Sequence, residues 1–258
     1  MRNLPNARPV LAVWLLFAFA FIPELSSADV TVSQQGYKHN KKKVEWTRKI
    51  QIKALKMRVE FQKGSEREIF LYDLDAGKRY RFDPKKREAY ELDLKTNEEI
   101  WKTQIDPKAV RRLIQSTGKK ASINGISCDE YTFDLQAPIH FDIGAAGIQH
   151  DHGTVCVSQE LPQGIEFTKF VHEAISRGFY APAGICSPTQ PGLGHFFYGD
   201  QPNVMVLSAE TVSDFRYNTS GIPARHLVET NMDVVSIDSD PIIEDTFQIP
   251  KDWKVKSE

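Results

Sequence analysis

The chain has 258 residues, with 33 Lys and Arg against 34 Asp and Glu and a formal net charge of −1. A balance this even carries no electrostatic signature of a nucleic-acid partner, and we expect none. After the N-terminal segment, no stretch approaches the ~18 consecutive apolar residues of a membrane helix. We therefore expect no transmembrane segment in the mature chain.

The first 28 residues follow the order of a cleavable secretory signal peptide. Arg2 and Arg8 precede an apolar run at 10–22, and small residues at 26 and 28 suit cleavage before Asp29. That run is shorter than the ~20 residues needed to span a bilayer. No cysteine follows it that could be lipid-modified. The segment predicts a soluble protein exported to the periplasm of a Gram-negative bacterium, in preference to one that is fully secreted.

The mature N-terminal half has the alternating pattern of β-strands. Between 44 and 61 the alternation slips by one residue at Ala54 and Leu55, which predicts a bulge, a bend or a short break between two strands. Further strands are predicted at 68–73, 78–83 and 87–94, joined by turn residues. One face of this meander is apolar and the other is charged, as antiparallel sheets allow.

Two helices and a hairpin are predicted next. Asp106 suits an N-cap and Gly118 suits a C-terminal stop, so the pattern predicts a helix over 106–118. Asn124-Gly125 predicts the turn of a hairpin. A second helix is predicted over 166–177, because its apolar residues share one face.

The remaining chain predicts a long loop and more strands. The segment 181–203 is rich in Pro and Gly, which predicts one ordered loop insertion. Strands are predicted at 204–217 and 225–237, with a short one at 246–250.

Three cysteines, Cys128, Cys156 and Cys186, leave three possible disulfide pairings. We favour Cys156–Cys186, because these two flank one helical segment. Cys128 can then be buried in a strand as a small apolar residue.

Known catalytic and nucleotide-binding motifs are absent from the sequence, so we expect neither an enzyme nor a cofactor. The main polar motif is His150-Asp151-His152. On a strand, His150 and His152 face the same side, where two imidazoles could share a Zn²⁺ or Cu²⁺ ion. The simpler interpretation is a polar loop, and a metal-binding envelope protein is kept as an alternative hypothesis.

Several short segments carry a resemblance when taken in order. They are KMRVE at 56–60, YDLDAGKRYRFD at 72–83, INGISCDEY at 123–131, SGIPAR at 220–225 and FQIPKDW at 247–253. Together they resemble an uncharacterised family of exported bacterial proteins, which is similar in turn to the periplasmic lipoprotein carriers of the LolA/LolB type.

The resemblance implies an α+β fold that is mainly antiparallel β. In that fold a strongly curved sheet, an incomplete barrel, is covered by two or three helices, and residues 29–258 form one domain. It also implies a non-catalytic protein that binds a lipid, an acyl chain or a lipoprotein in the hollow of the sheet. A purely structural or partner-binding module is the remaining alternative.

The predicted lining of that hollow is aromatic and β-branched. It comprises Trp46, Ile50, Ile52, Tyr80, Phe82, Tyr90, Phe196 and Phe197.

Overall fold

A computed structural model describes residues 29–37, 43–93, 109–140, 146–177, 203–219 and 222–257. The predicted signal peptide, Phe196, Phe197, Cys186 and nearly all of the loop at 181–203 lie outside the described residues.

The described residues form twelve β-strands, one α-helix and one 3₁₀ turn. The strands are β1 Val30–Tyr37, β2 Val44–Lys53, β3 Lys56–Lys63, β4 Glu66–Asp73, β5 Lys78–Asp83, β6 Glu88–Asp93, β7 Arg111–Ile123, β8 Ile126–His140, β9 Ala146–Ser158, β10 Met205–Thr219, β11 Ile222–Asp238 and β12 Lys254–Ser257. The helix α1 is Pro162–Ser176, and the 3₁₀ turn is Glu244–Phe247.

All twelve strands belong to one sheet, in the order β12-β6-β5-β4-β3-β2-β1-β11-β10-β9-β8-β7. Strands β1 to β6 and strands β7 to β11 are two antiparallel meanders, and they meet where β1 pairs with β11. Strand β12 pairs in parallel with β6. Strand β1 therefore lies in the interior of the sheet and holds the two meanders together.

The two faces of the sheet carry separate hydrophobic cores. Cross-strand partners share a face, so Val32, Ile50 and Val59 lie on one side, with α1 packed in the same core cluster. We call this the helix face. Ile69 and Phe82 pair on the other side, where the chain after β11 packs against them. We call this the tail face.

Two hairpin turns confirm the sequence prediction. Lys53 pairs with Lys56, so the phase slip at Ala54 and Leu55 is a two-residue turn between β2 and β3. Asn124 and Gly125 both have positive φ, 50° and 83°, in the turn between β7 and β8, as a primed hairpin turn requires.

The predicted α+β fold class is wrong, both in the curvature of the sheet and in the number of helices. The sheet is open and not strongly curled, so it is not an incomplete barrel. A single α-helix, α1, stands among the described residues in place of two or three, and it confirms the helix predicted at 166–177.

The helix predicted over 106–118 is also wrong, because residues from Arg111 onward form β7. Gly118 does not stop a helix. It has φ 75° within an irregularity between Ser116 and Lys120 in the pairing of β7 with β8. Ten paired positions with β8 outweigh the local capping signals.

Two further predictions fail. The strand predicted at 246–250 is replaced by the 3₁₀ turn and the residues after it, where Phe247 is buried in the tail-face core. The disulfide joins Cys128 to Cys156, with 5.5 Å between their Cα atoms, and not Cys156 to Cys186. Its two cysteines lie on the neighbouring strands β8 and β9, a proximity that only strand pairing reveals.

Candidate functional site

The helix face is a broad apolar floor. Its core cluster extends from Tyr72 on β4 to Leu135 on β8, across eight adjacent strands. At about 4.8 Å per strand this is ~34 Å wide. The 15-residue α1 is ~22 Å long. Helix α1 therefore covers only part of the floor.

Helix α1 is fixed over the centre of that floor. Phe167, Phe170 and Ala174 belong to the same buried cluster as the floor residues. The Thr168 hydroxyl lies 2.6 Å from Gly164 O and 3.0 Å from Val204 O, immediately before β10. One hydroxyl hydrogen can be donated to either carbonyl, so this side chain joins the helix backbone to the sheet.

A buried cation lies in the floor. Arg48 is 5% exposed, and its Nε donates to Gln34 Oε1 at 2.7 Å. Its guanidinium lies 5.6 Å from the centre of the Trp46 ring. A charged group is placed in an apolar layer only when polar partners hold it there. The floor therefore combines apolar side chains with a buried guanidinium that polar partners hold in place.

A second polar pair lies further along the same face. Gln149 Nε2 donates to Asp151 Oδ2 at 3.0 Å, and both residues are buried, at 4% and 0% exposure. Asp151 thus faces the floor, opposite to the two histidines that flank it.

The predicted lining residues do not share one surface. Trp46, Ile50 and Ile52 are buried on the helix face, and the register places Tyr90 on that face as well, at the β6 end of the sheet. The remaining two described members, Tyr80 and Phe82, lie on the tail face, where the Phe82 ring is 5.5 Å from that of Trp253.

His150 and His152 lie together on the tail face of β9, on the same side of the strand as predicted. Their ring centroids are 4.6 Å apart, and His150 Nε2 lies 3.1 Å from Asp134 Oδ1. Among the described residues, no group of three or more His, Cys, Asp and Glu side chains could hold a metal ion. Metal binding by the two histidines stays a prediction.

An arginine–carboxylate cluster beside these histidines was missed by sequence reasoning. Asp214 on β10 has a side chain only 2% exposed, and Arg216 and Arg225 are directly opposite each other on β10 and β11. Asp214 accepts from Nε and Nη2 of both arginines at 2.7–3.0 Å. These hydrogen bonds hold the pKa of Asp214 well below its usual range, and those from Arg225 have a larger effect than those from Arg216.

The spacing of 214 and 216 places both residues on one face of a strand, which is the only signal of this cluster in the sequence. The position of Arg225 depends on the register of β10 with β11. The cluster as a whole was therefore not predictable from local pattern.

Two features bear on the compartment. The Cys128–Cys156 disulfide is compatible with export, because structural disulfides form in oxidising compartments. Within the described residues, none of the helical segments has the length and hydrophobicity to cross a membrane.

Comparison with known proteins gives little. No family model and no curated protein matches the chain. Among solved structures it is similar to a crystal structure of an uncharacterized conserved protein from Thermus thermophilus, with 12% sequence identity and a TM-score of 0.38. That match covers 90% of this chain and 91% of the other. A likeness this distant supports no conclusion about fold or function.

Proposed function

We propose that this protein is an exported, non-catalytic carrier that holds a single acyl chain on the helix face, between the sheet and α1. The observation that carries the proposal is the floor itself, an apolar layer across eight strands with the buried Arg48 set in it. Compartments outside the cytoplasm contain lipids that must cross water. An apolar floor with one cation suits the chain and the head of such a molecule.

The proposal requires α1 to move. Ile50 and Val32 in the floor are 0% exposed and Phe170 of α1 is 1% exposed, so an acyl chain reaches the part of the floor beneath α1 only by displacing helix side chains. Floor residues that now contact α1 side chains would contact the acyl chain, which is also apolar. The exchange therefore costs far less than exposing the floor to water.

A disulfide across this contact tests the proposal. A Cβ built on Gly164 of α1 lies 3.5 Å from Met205 Cβ on β10, within the ~3.5–4.5 Å range of disulfides. Gly164→Cys with Met205→Cys, in a Cys186→Ser background, should lock α1 on the sheet when oxidised. We expect wild-type mature protein to take up radiolabelled palmitate, and the locked variant to lose at least about tenfold in affinity, a difference of ~1.4 kcal/mol.

Controls separate the lock from its side effects. Each single cysteine variant, oxidised in the same way, should bind palmitate like wild type, and reduction of the double variant should restore binding. Palmitate binding by wild-type protein in the same reductant shows how much of any change comes from reducing the native Cys128–Cys156 disulfide. Wild type that neither binds palmitate nor carries lipid when purified from its envelope contradicts the proposal.

Export has its own test. N-terminal sequencing of protein recovered from the periplasm should begin at Asp29, whose carboxylate accepts from Ile242 N and lies 3.5 Å from Lys53 Nζ. An uncleaved chain retained in the cytoplasm would contradict this part of the proposal.

A further inference from the structure

A second surface lies on the tail face, away from the acyl floor. It occupies the end of the sheet where the β8–β9 and β10–β11 hairpins turn. The register places Pro138, Ile148, Arg216 and Arg225 side by side on four adjacent strands, with Asp214 and Leu227 in the next row. We call this surface the arginine patch, and it is made of Arg111, Pro138, Ile148, Arg216, Arg225 and Leu227.

The patch carries an excess of positive charge. Arg111 is exposed, and the side chains of Arg216 and Arg225 are 64% and 60% exposed. Among the described residues of these two rows Asp214 is the one carboxylate, so the three arginines and this carboxylate leave a net charge of +2. Asp134 and Glu229 lie one row further from the hairpin turns.

Asp214 also sets the direction of the two arginines. It takes Nε and Nη2 of each guanidinium from beneath, because it is itself buried. Nη1 of each remains outside these contacts. Two oriented guanidiniums on a rigid sheet are pre-organised to bind the oxygens of a phosphate.

Apolar side chains stand exposed among these charges. Ile148 is 44% exposed and Leu227 is 48% exposed. A groove of ≈ 360 Å³ runs between Arg111 and Ile148, with Ala109, Gln136 and Pro138 as its other walls. A free phosphate ion gains nothing from such neighbours, whereas a lipid surface offers both phosphates and an apolar layer beneath them.

We propose that the arginine patch docks the protein on the surface of a bilayer that contains anionic lipids. The positive charge is complementary to the lipid headgroups, and Ile148 and Leu227 reach into the interface between headgroups and acyl chains. The patch and the acyl floor lie on opposite faces of the sheet, so docking leaves the floor free of the membrane.

Vesicle co-sedimentation of the mature protein tests this. We expect binding to phosphatidylcholine vesicles that contain about 30% phosphatidylglycerol, little binding to phosphatidylcholine alone, and loss of binding in ~1 M salt, where charges are screened. Arg111→Gln should lower the partition coefficient about fivefold. Arg87→Gln is the matched control, because Arg87 is 71% exposed in the β5–β6 turn, outside the patch, and should change it less than about twofold.

The apolar component is tested without disturbing buried groups. Ile148→Ser with Leu227→Ser should lower binding by at least about threefold. Ile243→Ser removes a side chain that is 72% exposed elsewhere and should leave binding unchanged.

Three results would overturn the proposal. They are equal binding to neutral and anionic vesicles, equal effects of Arg111→Gln and Arg87→Gln, or capture of polyglutamate without any vesicle binding. The last would identify an acidic polypeptide as the partner. The oxidised Gly164→Cys/Met205→Cys variant should still dock, so failure of docking and failure of acyl uptake are separate outcomes.

Discussion

Gly36 shows how one residue fixes the packing of the floor. It is paired with Trp46 across β1 and β2, and a Cβ at Gly36 would lie 1.8 Å from Trp46 Cε2. The indole therefore occupies the space of the missing side chain. The requirement is steric, since β1 at this position is ordinary extended backbone.

We predict that Gly36→Ala expels the Trp46 ring and lowers the free energy of unfolding by about 2 kcal/mol or more. Urea titration followed by tryptophan fluorescence measures both effects. Gly164→Ala is the control, because the nearest atom to its Cβ is 3.4 Å away. Adding Trp46→Leu to Gly36→Ala should recover part of the loss. If the Gly36→Ala variant is as stable as wild type, the steric explanation is wrong.

Asp214 makes stability depend on pH in a defined direction. Its pKa in the folded protein is lowered by Arg225 and Arg216, below the value of ~3.9 for an unfolded chain. The stability that ionised Asp214 contributes is therefore fully present above ~pH 4, and it is lost as the pH falls through the pKa of Asp214 in the folded protein.

We predict that Asp214→Asn costs about 1–3 kcal/mol at neutral pH, because it leaves two arginines directly opposite each other. The difference from wild type should shrink when urea titrations are repeated near ~pH 3. Asp252→Asn breaks an exposed pair with Arg87 at 3.2 Å and should cost less than about 1 kcal/mol. A cost for Asp214→Asn that does not change with pH would show that its charge is not the cause.

At the scale of elements, the sequence predicts strands where local and tertiary signals agree. β4, β5 and β6 are short alternating segments between turn residues, and the structure confirms all three. β7 differs because it is an edge strand whose side chains are mostly exposed, so no alternating pattern marks it. Its Asp, Pro and Gly signals then indicate a helix that pairing with β8 overrides.

The hairpin turns permit a prediction at this scale. Ala54 has φ 50° in the turn between β2 and β3, a region that costs a residue with a Cβ about 1–2 kcal/mol. Ala54→Gly removes that strain but makes the unfolded chain more flexible, so we expect a net gain of about 0.5 kcal/mol in chemical denaturation.

Asn124 has the same φ of 50°, and replacing it by Ala tests the opposite change, in which backbone strain increases. Asn124→Ala should destabilise the protein by about 1–2 kcal/mol, because it also loses the hydrogen bond from Nδ2 to Val234 O at 2.6 Å. If Ala54→Gly and Asn124→Ala shift stability in the same direction, backbone strain does not control these turns.

At the scale of the whole molecule, one sheet separates two cores, and a single sequence pattern could not assign residues to them. The rows of Ile50 and of Phe82 are both apolar, and each alternates correctly in its own strand. Which face each row occupies depends on the register through β3 and β4. A cavity shared by both rows was therefore a reasonable expectation from sequence that the register does not support.

The separation of the two cores gives a last prediction. Phe170 on the helix face and Phe247 on the tail face are 1% and 3% exposed, so changing either to Ala should cost about 3–5 kcal/mol in unfolding free energy. Their effects on acyl uptake should differ. Palmitate binding, measured where both variants remain folded by near-UV circular dichroism, should change in Phe170→Ala and stay at the wild-type level in Phe247→Ala. Equal effects of the two substitutions on palmitate binding would contradict the placement of acyl binding on the helix face.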